Sequence, residues 1–419
     1  MLFFYAVAFA ALFLLPAGAG AEEFFYKYEA GDTYRIISTV KEDVYLDRQL
    51  NHRAEIMNRI AVRVISAENG QGQNSRARHE AVFQTSERAV GGFLEEQPLL
   101  LPDRGMSFQW AREYESMFDR DRLGYMTIEP KYYMPMVRDV PVFPDRDLKP
   151  GDTWTAAGHE MYDLRDNFGI EEPYRIPFSA NYKYLGSRDW KGRAYPAFSV
   201  SYRINAEPSA VKGRLRPRKI TEAFDQIVYW DLDMGQPVAY EETFRMLFEL
   251  SDEQGKIRTM ESRGTAQAEI IESERMDKKS LAEEITGEIK RLGLGDTSVR
   301  VAEEGIVIGL DNIQFQPDSA VLLKSEQEKL DKIGDLLRKY PNRDILVGGH
   351  VAPGGTEAGR QKLSQERAAT AAEYLINRGV RTAERVVVRG YGAERPIADN
   401  RTAAGQARNR RVEITILEN

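Results

Sequence analysis

The chain has 419 residues, 42% hydrophobic and 29% charged, with no cysteine and a formal net charge of −7. That length accommodates two or three globular domains. The missing cysteines exclude disulfides, thiolate metal sites, cysteine nucleophiles and a lipid anchor on an N-terminal cysteine, and net acidity argues against a nucleic-acid partner, whose phosphates ask for a basic surface.

Residues 2–15 form one apolar run without charge, followed by Pro16 and a small-residue end at Ala19-Gly20-Ala21. The run is short of the roughly 20 residues a membrane helix needs. It reads as a signal peptide over residues 1–21, cleaved after Ala21, although its start lacks the usual basic residues; an uncleaved anchor is the alternative. No second apolar run reaches spanning length. The mature chain is therefore expected in the periplasm or cell envelope, with no transmembrane span.

From residue 23 to about 272 the hydrophobic period is two. Ile56, Asn58, Ile60, Val62 and Val64 share one face of an extended segment, and Asn69-Gly70 reads as the turn after it. Phe198, Val200, Tyr202 and Ile204 alternate, as do Phe244, Met246, Phe248 and Leu250 before the Gln254-Gly255 turn. Such alternation predicts strands with one buried face. Phe108–Phe118 is the one stretch with a short-helix pattern. Three prolines and a glycine interrupt periodicity over Pro141–Trp154. The expectation is an antiparallel β-rich region in two domains, 22–143 and 144–273, or one large sheet with a proline-rich crossing.

After residue 273 the period changes. Leu281, Ile285, Ile289 and Leu292 form a helical stripe ended by Gly293 and Gly295. Val299–Leu310 predicts a strand pair around Glu304-Gly305. Ser325-x-x-Glu328 has the pattern of a capping box, opening a helix with Leu330, Ile333, Leu337 and Tyr340 on one side. Ile345–Val347 is a short strand. A second helix starts near Thr356, carries Leu363, Ala371 and Leu375, and stops at Gly379. Val386–Val388 and Val412–Leu417 are further strands. The alternation predicts a C-terminal α+β sandwich over 274–419, a mixed sheet with helices packed on it.

Within this segment lie Phe315–Ala320 (F-Q-P-D-S-A), Gly349-His350, Leu363-Ser364-x-x-Arg367-Ala368, Gly390-Tyr391-Gly392, Pro396–Asn400 (P-I-A-D-N) and Asn409–Ile414 (N-R-R-V-E-I). In this order they resemble the OmpA-like peptidoglycan-binding domain of bacterial envelope proteins, over about 280–419. Members that hold peptidoglycan use an Asp and an Arg to face the ammonium and carboxylate of diaminopimelate in the stem peptide. A guanidinium grips a carboxylate through two parallel hydrogen bonds. By position Arg367 matches that Arg, but Ala352 stands where the Asp is usual and Arg360 where an Asn is usual. The resemblance thus implies weak or altered peptidoglycan binding, or an anionic cell-wall ligand. Arg367 has three readings: a carboxylate ligand, another anion, or a structural pairing. Glu357 and Glu366 are candidates to replace the lost carboxylate.

His350, next to the pocket loop, is expected to brace that loop rather than act as a base. Asn409 and Arg410 are secondary ligand candidates, weighed against ordinary surface charge around Arg408, Arg410 and Arg411, and Asn400 is expected to bond its own backbone in a turn. Aromatic stretches at Phe24–Tyr28, Tyr132–Tyr133 and Tyr229-Trp230 fit a β core better than a glycan platform. Glu95-Glu96 and Glu171-Glu172 read as solvated surface. His52, His79, His159 and His350 have no metal-ligand spacing, and no phosphate loop or nucleophile motif occurs, so neither cofactor, metal nor catalysis is expected. The reading is an exported structural or binding protein of the envelope, with peptidoglycan and other envelope proteins as partners. Its alternatives are an outer-membrane β-barrel with a periplasmic tail, a protein-interaction module that has lost wall binding, and a cell-wall enzyme.

Overall fold

A computed structural model describes residues 21–419 except 69–74, 92–107, 166–170, 209–215, 253, 273–275, 303, 311–312, 314, 316–318, 342 and 419. The apolar run at 2–15, the Asn69-Gly70 turn and the Glu95-Glu96 pair lie outside the described residues.

β1 (Thr33–Leu46), β2 (Gln49–Glu68), β3 (Arg76–Gly91), β4 (Phe108–Asp121) and β5 (Met126–Ile128) pair antiparallel in succession. So do β6 (Val137–Arg138), β7 (Thr153–Tyr162), β8 (Tyr174–Trp190), β9 (Arg193–Ala206), β10 (Arg216–Asp231), β11 (Gln236–Ser251) and β12 (Ile257–Glu272). β12 then pairs with β1 along its length, from Tyr34 opposite Glu272 to Leu46 opposite Met260. The result is one nearly closed, barrel-like sheet. Its β5 and β6 edges come together where the Met126 amide donates to Asp139 Oδ1 (2.7 Å) and the Phe143 amide to the Leu123 carbonyl (2.9 Å).

The boundary expected between residues 143 and 144 therefore does not divide two sheets. The β1–β12 ladder crosses it, and so does a core cluster joining Phe24, Tyr26 and Tyr28 to Phe143, Leu148, Phe198 and Trp230. This cluster also places the aromatic stretches at 24–28 and 229–230 in the core. The Phe108–Phe118 segment is strand β4, not a helix. Its period is two as well: Ser116 and Phe118 are buried while Glu113, Glu115 and Met117 are exposed, and β3 supplies its ladder.

β8 shows how this body is built. Ile176, Phe178, Ala180, Tyr182 and Tyr184 are buried, whereas Arg175, Ser179, Asn181 and Lys183 are exposed. Five carboxyl groups nonetheless face inward. Tyr162 Oη lies 2.5 Å from both carboxylate oxygens of Glu222 and also bonds Glu160, which takes a further bond from Tyr202 Oη at 2.9 Å. One phenol carries one proton and cannot donate to two carboxylates at once, so a second proton belongs on the pair. Burial, then the neighbouring Glu160, pushes Glu222 up to about 9, and burial raises Glu160 in the same direction. Burial pushes Glu242 and Glu42 up to about 7 and raises Glu87.

The C-terminal sheet has the order β13 (Thr297–Val301), β14 (Gly305–Leu310), β17 (Arg411–Leu417), β15 (Ile345–His350), β16 (Val386–Gly390), antiparallel except for parallel β15–β16. Helices α1 (Lys278–Arg291), α2 (Lys324–Leu337) and α3 (Glu357–Asn377) bury Ile285, Ile289, Leu330, Ile333 and Leu375 against Ile306, Ile308, Val347, Val388 and Ile414. A short helix α4 (Ala403–Asn409), which the sequence reading lacks, precedes β17. The capping box is not made: Leu323 is the N-cap of α2, with no side-chain cap bond, and Ser325 is already inside the helix. Thr356 does cap α3 by accepting the Gly359 amide. Among the described residues no helix is long and apolar enough to cross a membrane, which leaves strands unaddressed.

The two regions are joined in three ways. β16 pairs with β4 through Val387 opposite Phe108. Leu346, Val387 and Leu417 form a small cluster on the sheet face away from the helices. Arg59 of β2, 4% exposed, bonds Asp344 (3.0 Å) and the Glu384 carbonyl (2.8 Å), while Arg88 of β3 reaches Glu384 and Arg385 holds the other oxygen of Asp344.

Two outcomes are expected. The inward carboxyls have folded pKa values above the ordinary 4.5, so the native state binds more protons than the unfolded chain and stability falls as pH rises from 4.5 towards 9. Melting temperature measured across that range should drop, and Glu222→Gln should flatten the profile and raise the melting temperature at its alkaline end by about 5 °C or more. Arg59→Ala leaves Asp344 facing the interface with one partner fewer, and should cost about 3–5 kcal/mol. Calorimetry should then show the two regions melting separately.

Candidate functional site

The residues of the C-terminal motifs and their surroundings fall into two sets. The first is packing. A Cβ on Gly349 would come 2.0 Å from the Ser364 carbonyl oxygen, and one on Gly390 would come 2.6 Å from the Gln365 amide nitrogen. Only glycine lets α3 lie this close to β15 and β16. Ser364, fully buried, accepts the Gly392 amide at 2.9 Å and donates to the Gln361 carbonyl at 2.8 Å. Gln361 Nε2 donates to the Gly390 carbonyl (2.9 Å), and Gln365 Oε1 accepts the Gly390 amide. The glycine pairs and the Leu-Ser motif therefore clamp one helix onto two strand ends.

Asn409 belongs to the same set. It is 2% exposed; its Oδ1 accepts the Ile397 and Ala398 amides (2.7 and 3.0 Å), and its Nδ2 donates to the Ala398 carbonyl and Asn400 Oδ1 (2.8 and 2.6 Å). It ties loop 397–400 to α4, and Asn400 bonds this side chain rather than its own backbone.

His350 is 3% exposed and stacks on Tyr391 with ring centres 4.8 Å apart. Its Nε2 lies 3.5 Å from Glu413 Oε2. Arg411 and Arg300 hold the two oxygens of Glu413 at 2.8 and 2.9 Å. Burial works to raise the Glu413 pKa, but His350 and Arg411 outweigh it and hold the carboxyl down at about 2. Burial lowers His350, and the bond to Glu413 only partly offsets this. His350 thus sits in a buried bracing network.

The second set carries charge around a cleft of about 860 Å3 beside the loop after β15 and the turn after β16, lined by Pro353, Thr356, Glu357, Arg360, Gln361 and Glu394 among others. Arg360 is half-buried and donates Nη1 to the Gly355 carbonyl at 3.0 Å, which tethers its guanidinium at the cleft. Ala352 is half-buried at the start of the loop and offers no charge. Arg367 lies two helical turns beyond Arg360. Its Nε donates to the Ser319 carbonyl (3.1 Å) and its guanidinium lies 5.0 Å from the centre of the Phe315 ring. Arg410 is exposed at the end of α4.

Of the six expected residues only Arg360 lines this cleft; Arg367, Ala352, His350, Asn409 and Arg410 do not. Glu357 is in it, and Glu366 is instead 3.8 Å from Lys362. Glu394 was missed. It stands two residues after Gly390-Tyr391-Gly392, and its neighbourhood to that motif is the only signal in the sequence. Together the cleft presents one guanidinium and two carboxylates, a set suited to a ligand with both an anionic and a cationic end.

A family model described as the OmpA family matches residues 314–410. Outer membrane porin F of Pseudomonas fluorescens is 37% identical over 105 residues, 25% of this chain and 32% of the porin. The peptidoglycan-associated lipoprotein of Brucella melitensis is 33% identical over 126 residues, 30% of this chain and 74% of the lipoprotein. A solved outer membrane protein from Borrelia burgdorferi B31 is 35% identical with a TM-score of 0.25, covering 29% of this chain and 96% of that one. The chain thus spans about a third of the length of the porin, and most of the lipoprotein.

Proposed function

The chain belongs to the OmpA family through its C-terminal region, and on that premise we propose that it is an exported binding protein of the cell envelope whose C-terminal cleft holds peptidoglycan stem peptides weakly and with an altered charge readout. A relative named for its association with peptidoglycan supports the ligand class. The observation that carries the reading is the tethered Arg360 set beside Glu357 and Glu394 in one cleft. In this reading Arg360 takes a peptide carboxylate and the two glutamates face an ammonium, while Ala352 withdraws the carboxylate that members of the family use at that position. Arg367 braces Phe315 and Ser319 against α3. The role is structural and binding rather than catalytic, in keeping with relatives that are porins and lipoproteins of the envelope.

A second reading, a membrane barrel with a periplasmic tail, draws on the nearly closed sheet. The distribution of polarity favours the first. A lipid-facing strand is apolar outside, whereas β8 turns Arg175, Ser179, Asn181 and Lys183 outward and its aromatic residues inward.

The full chain should sediment with purified sacculi at low salt. Arg360→Ala should weaken that retention about tenfold or more, the worth of a hydrogen-bonded charge, and Ala352→Asp should strengthen it. Equal retention of all three proteins would sink the cleft assignment. Carbonate washing should release the native protein from membranes; retention there would favour the barrel.

A further inference from the structure

One end of the β body carries a second, unrelated cavity. It has a volume of about 470 Å3 and is half-open. Segment 25–29 forms one wall, held by the Tyr26 amide on the Arg122 carbonyl (2.8 Å) and the Lys27 amide on the Gly235 carbonyl (3.1 Å). Gly124 and Gly235, at φ 105° and 60°, make this approach possible: a Cβ would come 2.8 Å from Tyr26 Cε2 at the first and 2.5 Å from Lys27 Cγ at the second.

Arg120 of β4 lines this cavity. Its guanidinium lies 5.0 Å from the Tyr26 ring centre and 5.7 Å from that of Phe118. Neither flanking acid is available to it. Asp119 is held by Arg78 at 2.8 and 3.1 Å, and Asp121 Oδ1 accepts the amides of Leu123, Gly124 and Tyr125 at 2.9–3.0 Å. Among the described residues no carboxylate pairs with Arg120, and its buried Nε has no hydrogen-bond partner. Tyr28, also in the wall, is 9% exposed, and its hydroxyl faces the Arg120 guanidinium and has no other partner among the described residues. Behind them His79 is fully buried against Tyr28 and Phe118; burial, then Arg120, pushes it down to about 3, so it is neutral and supplies no counter-charge.

The other charges of the cavity are already met or lie at its rim. Arg122 pairs with Glu23 and Asp145. Lys27 Nζ donates to the carbonyls of Leu232 (2.8 Å) and Asp233 (3.3 Å), and Asp32 accepts the Glu29 amide (2.8 Å). Lys27, Arg76, Glu29 and Asp233 are exposed and of mixed sign. Arg120 is half-buried, set deeper than these, and has no carboxylate partner, and a cation withdrawn from water without a counter-ion is costly to the fold. Departures of this kind mark functional sites. Beside it the lining offers apolar surface at Phe25 and at Met234, a methionine that is 43% exposed.

We propose that this cavity binds a small monocarboxylate with an apolar or ring-shaped body, its carboxylate docked on Arg120 with the Tyr28 hydroxyl as a second donor and its body against Phe25 and Met234. The guanidinium fork fits a carboxylate with two parallel bonds. The volume is in the range of roughly 300–1,000 Å3 common for small-ligand sites. The site is independent of the C-terminal cleft and of the function proposed for it.

A carboxylate of this kind occurs on a sugar acid or at a peptide C-terminus, and the test separates them. Full-length protein carrying Arg360→Ala is titrated calorimetrically with N-acetylmuramic acid and with acetyl-D-alanyl-D-alanine, each beside its neutral twin, N-acetylglucosamine and the dipeptide amide. At least one acid should bind saturably, at least tenfold more tightly than its twin, and raise the melting temperature; which acid does so identifies the source. Arg120→Lys should weaken that binding tenfold or more, since an ammonium cannot reproduce the fork, and Tyr28→Phe should weaken it several-fold in a protein of unchanged fold. If both acids bind no better than their twins, or if the acid binds the folded Arg120→Lys and Tyr28→Phe proteins as tightly as the parent, the site does not exist and Arg120 is only a strut between aromatic rings. Should Arg120→Lys fail to fold, the comparison of acid with twin and the Tyr28→Phe titration decide the matter alone.

Discussion

The two regions of this molecule meet at a C-terminal sheet whose central strands have no free face. Every residue of β14, β15 and β17 is buried. Alternate side chains of a strand point to opposite faces, so full burial requires cover on both. Helices α1–α3 cover one. The other carries Leu346, Val387 and Leu417, and it is from this side that Arg59 and Arg88 reach in. The β body is thus more than a neighbour on a linker. Its β2 shows the complementary signature: Met57 and Arg59, on the face that would otherwise be outward, are 2% and 4% exposed. An arginine so placed is tolerable only because Asp344 meets it, and Asp344 is in turn shared with Arg385. A buried pair of this kind contributes little net stability, but it fixes which two surfaces meet.

Elements were legible in the sequence wherever their own periodicity encodes them. The helical stripe of α1, the strand pair around Gly305 and the alternation of β9 and β11 each depend on neighbours in the chain. Partners were not legible, because a strand's pattern says that one face is buried and not by what. The β1–β12 ladder joins segments about two hundred residues apart, and nothing local to either names the other. For the same reason β4 was misread: Phe108–Phe118 alternates, but the β3 partner that makes it a strand lies elsewhere. The capping-box pattern failed differently. Ser325 and Glu328 are correctly spaced, yet Phe315 and Leu322 form an isolated bridge just before the helix, and Leu323 becomes the N-cap.

The candidate site was legible in part, and the division has a physical origin. Arg360 was found because it stands three residues before the Leu363-Ser364 motif, whereas Arg367, marked by the same motif, contacts Ser319 and Phe315 instead. Glu394 was not found, because it reaches the cleft only through the turn after β16. His350 and Asn409 were singled out by their place in family motifs, and both belong to the frame: His350 stacks on Tyr391 with Nε2 3.5 Å from Glu413, and Asn409 bonds across loop 397–400.

This division also separates the residues that hold the outline of the C-terminal region from those that set the charge of its cleft. Gly349, Gly390 and Ser364 sit where a single added carbon would strike backbone at 2.0–2.6 Å or where a hydroxyl joins a helix to a turn. A substitution there displaces α3 from the sheet and is felt by the whole core. Positions 352, 357, 360 and 394 lie on the cleft loop, the first turns of α3 and the following turn, where side chains meet solvent. A change of charge at 357, 360 or 394 alters the field in the cleft without moving the backbone that shapes it. Arg360 even draws its anchorage from the loop, through the Gly355 carbonyl. Packing constrains the first set and leaves the charged set free. The second can therefore drift or be retuned while the first continues to declare the fold.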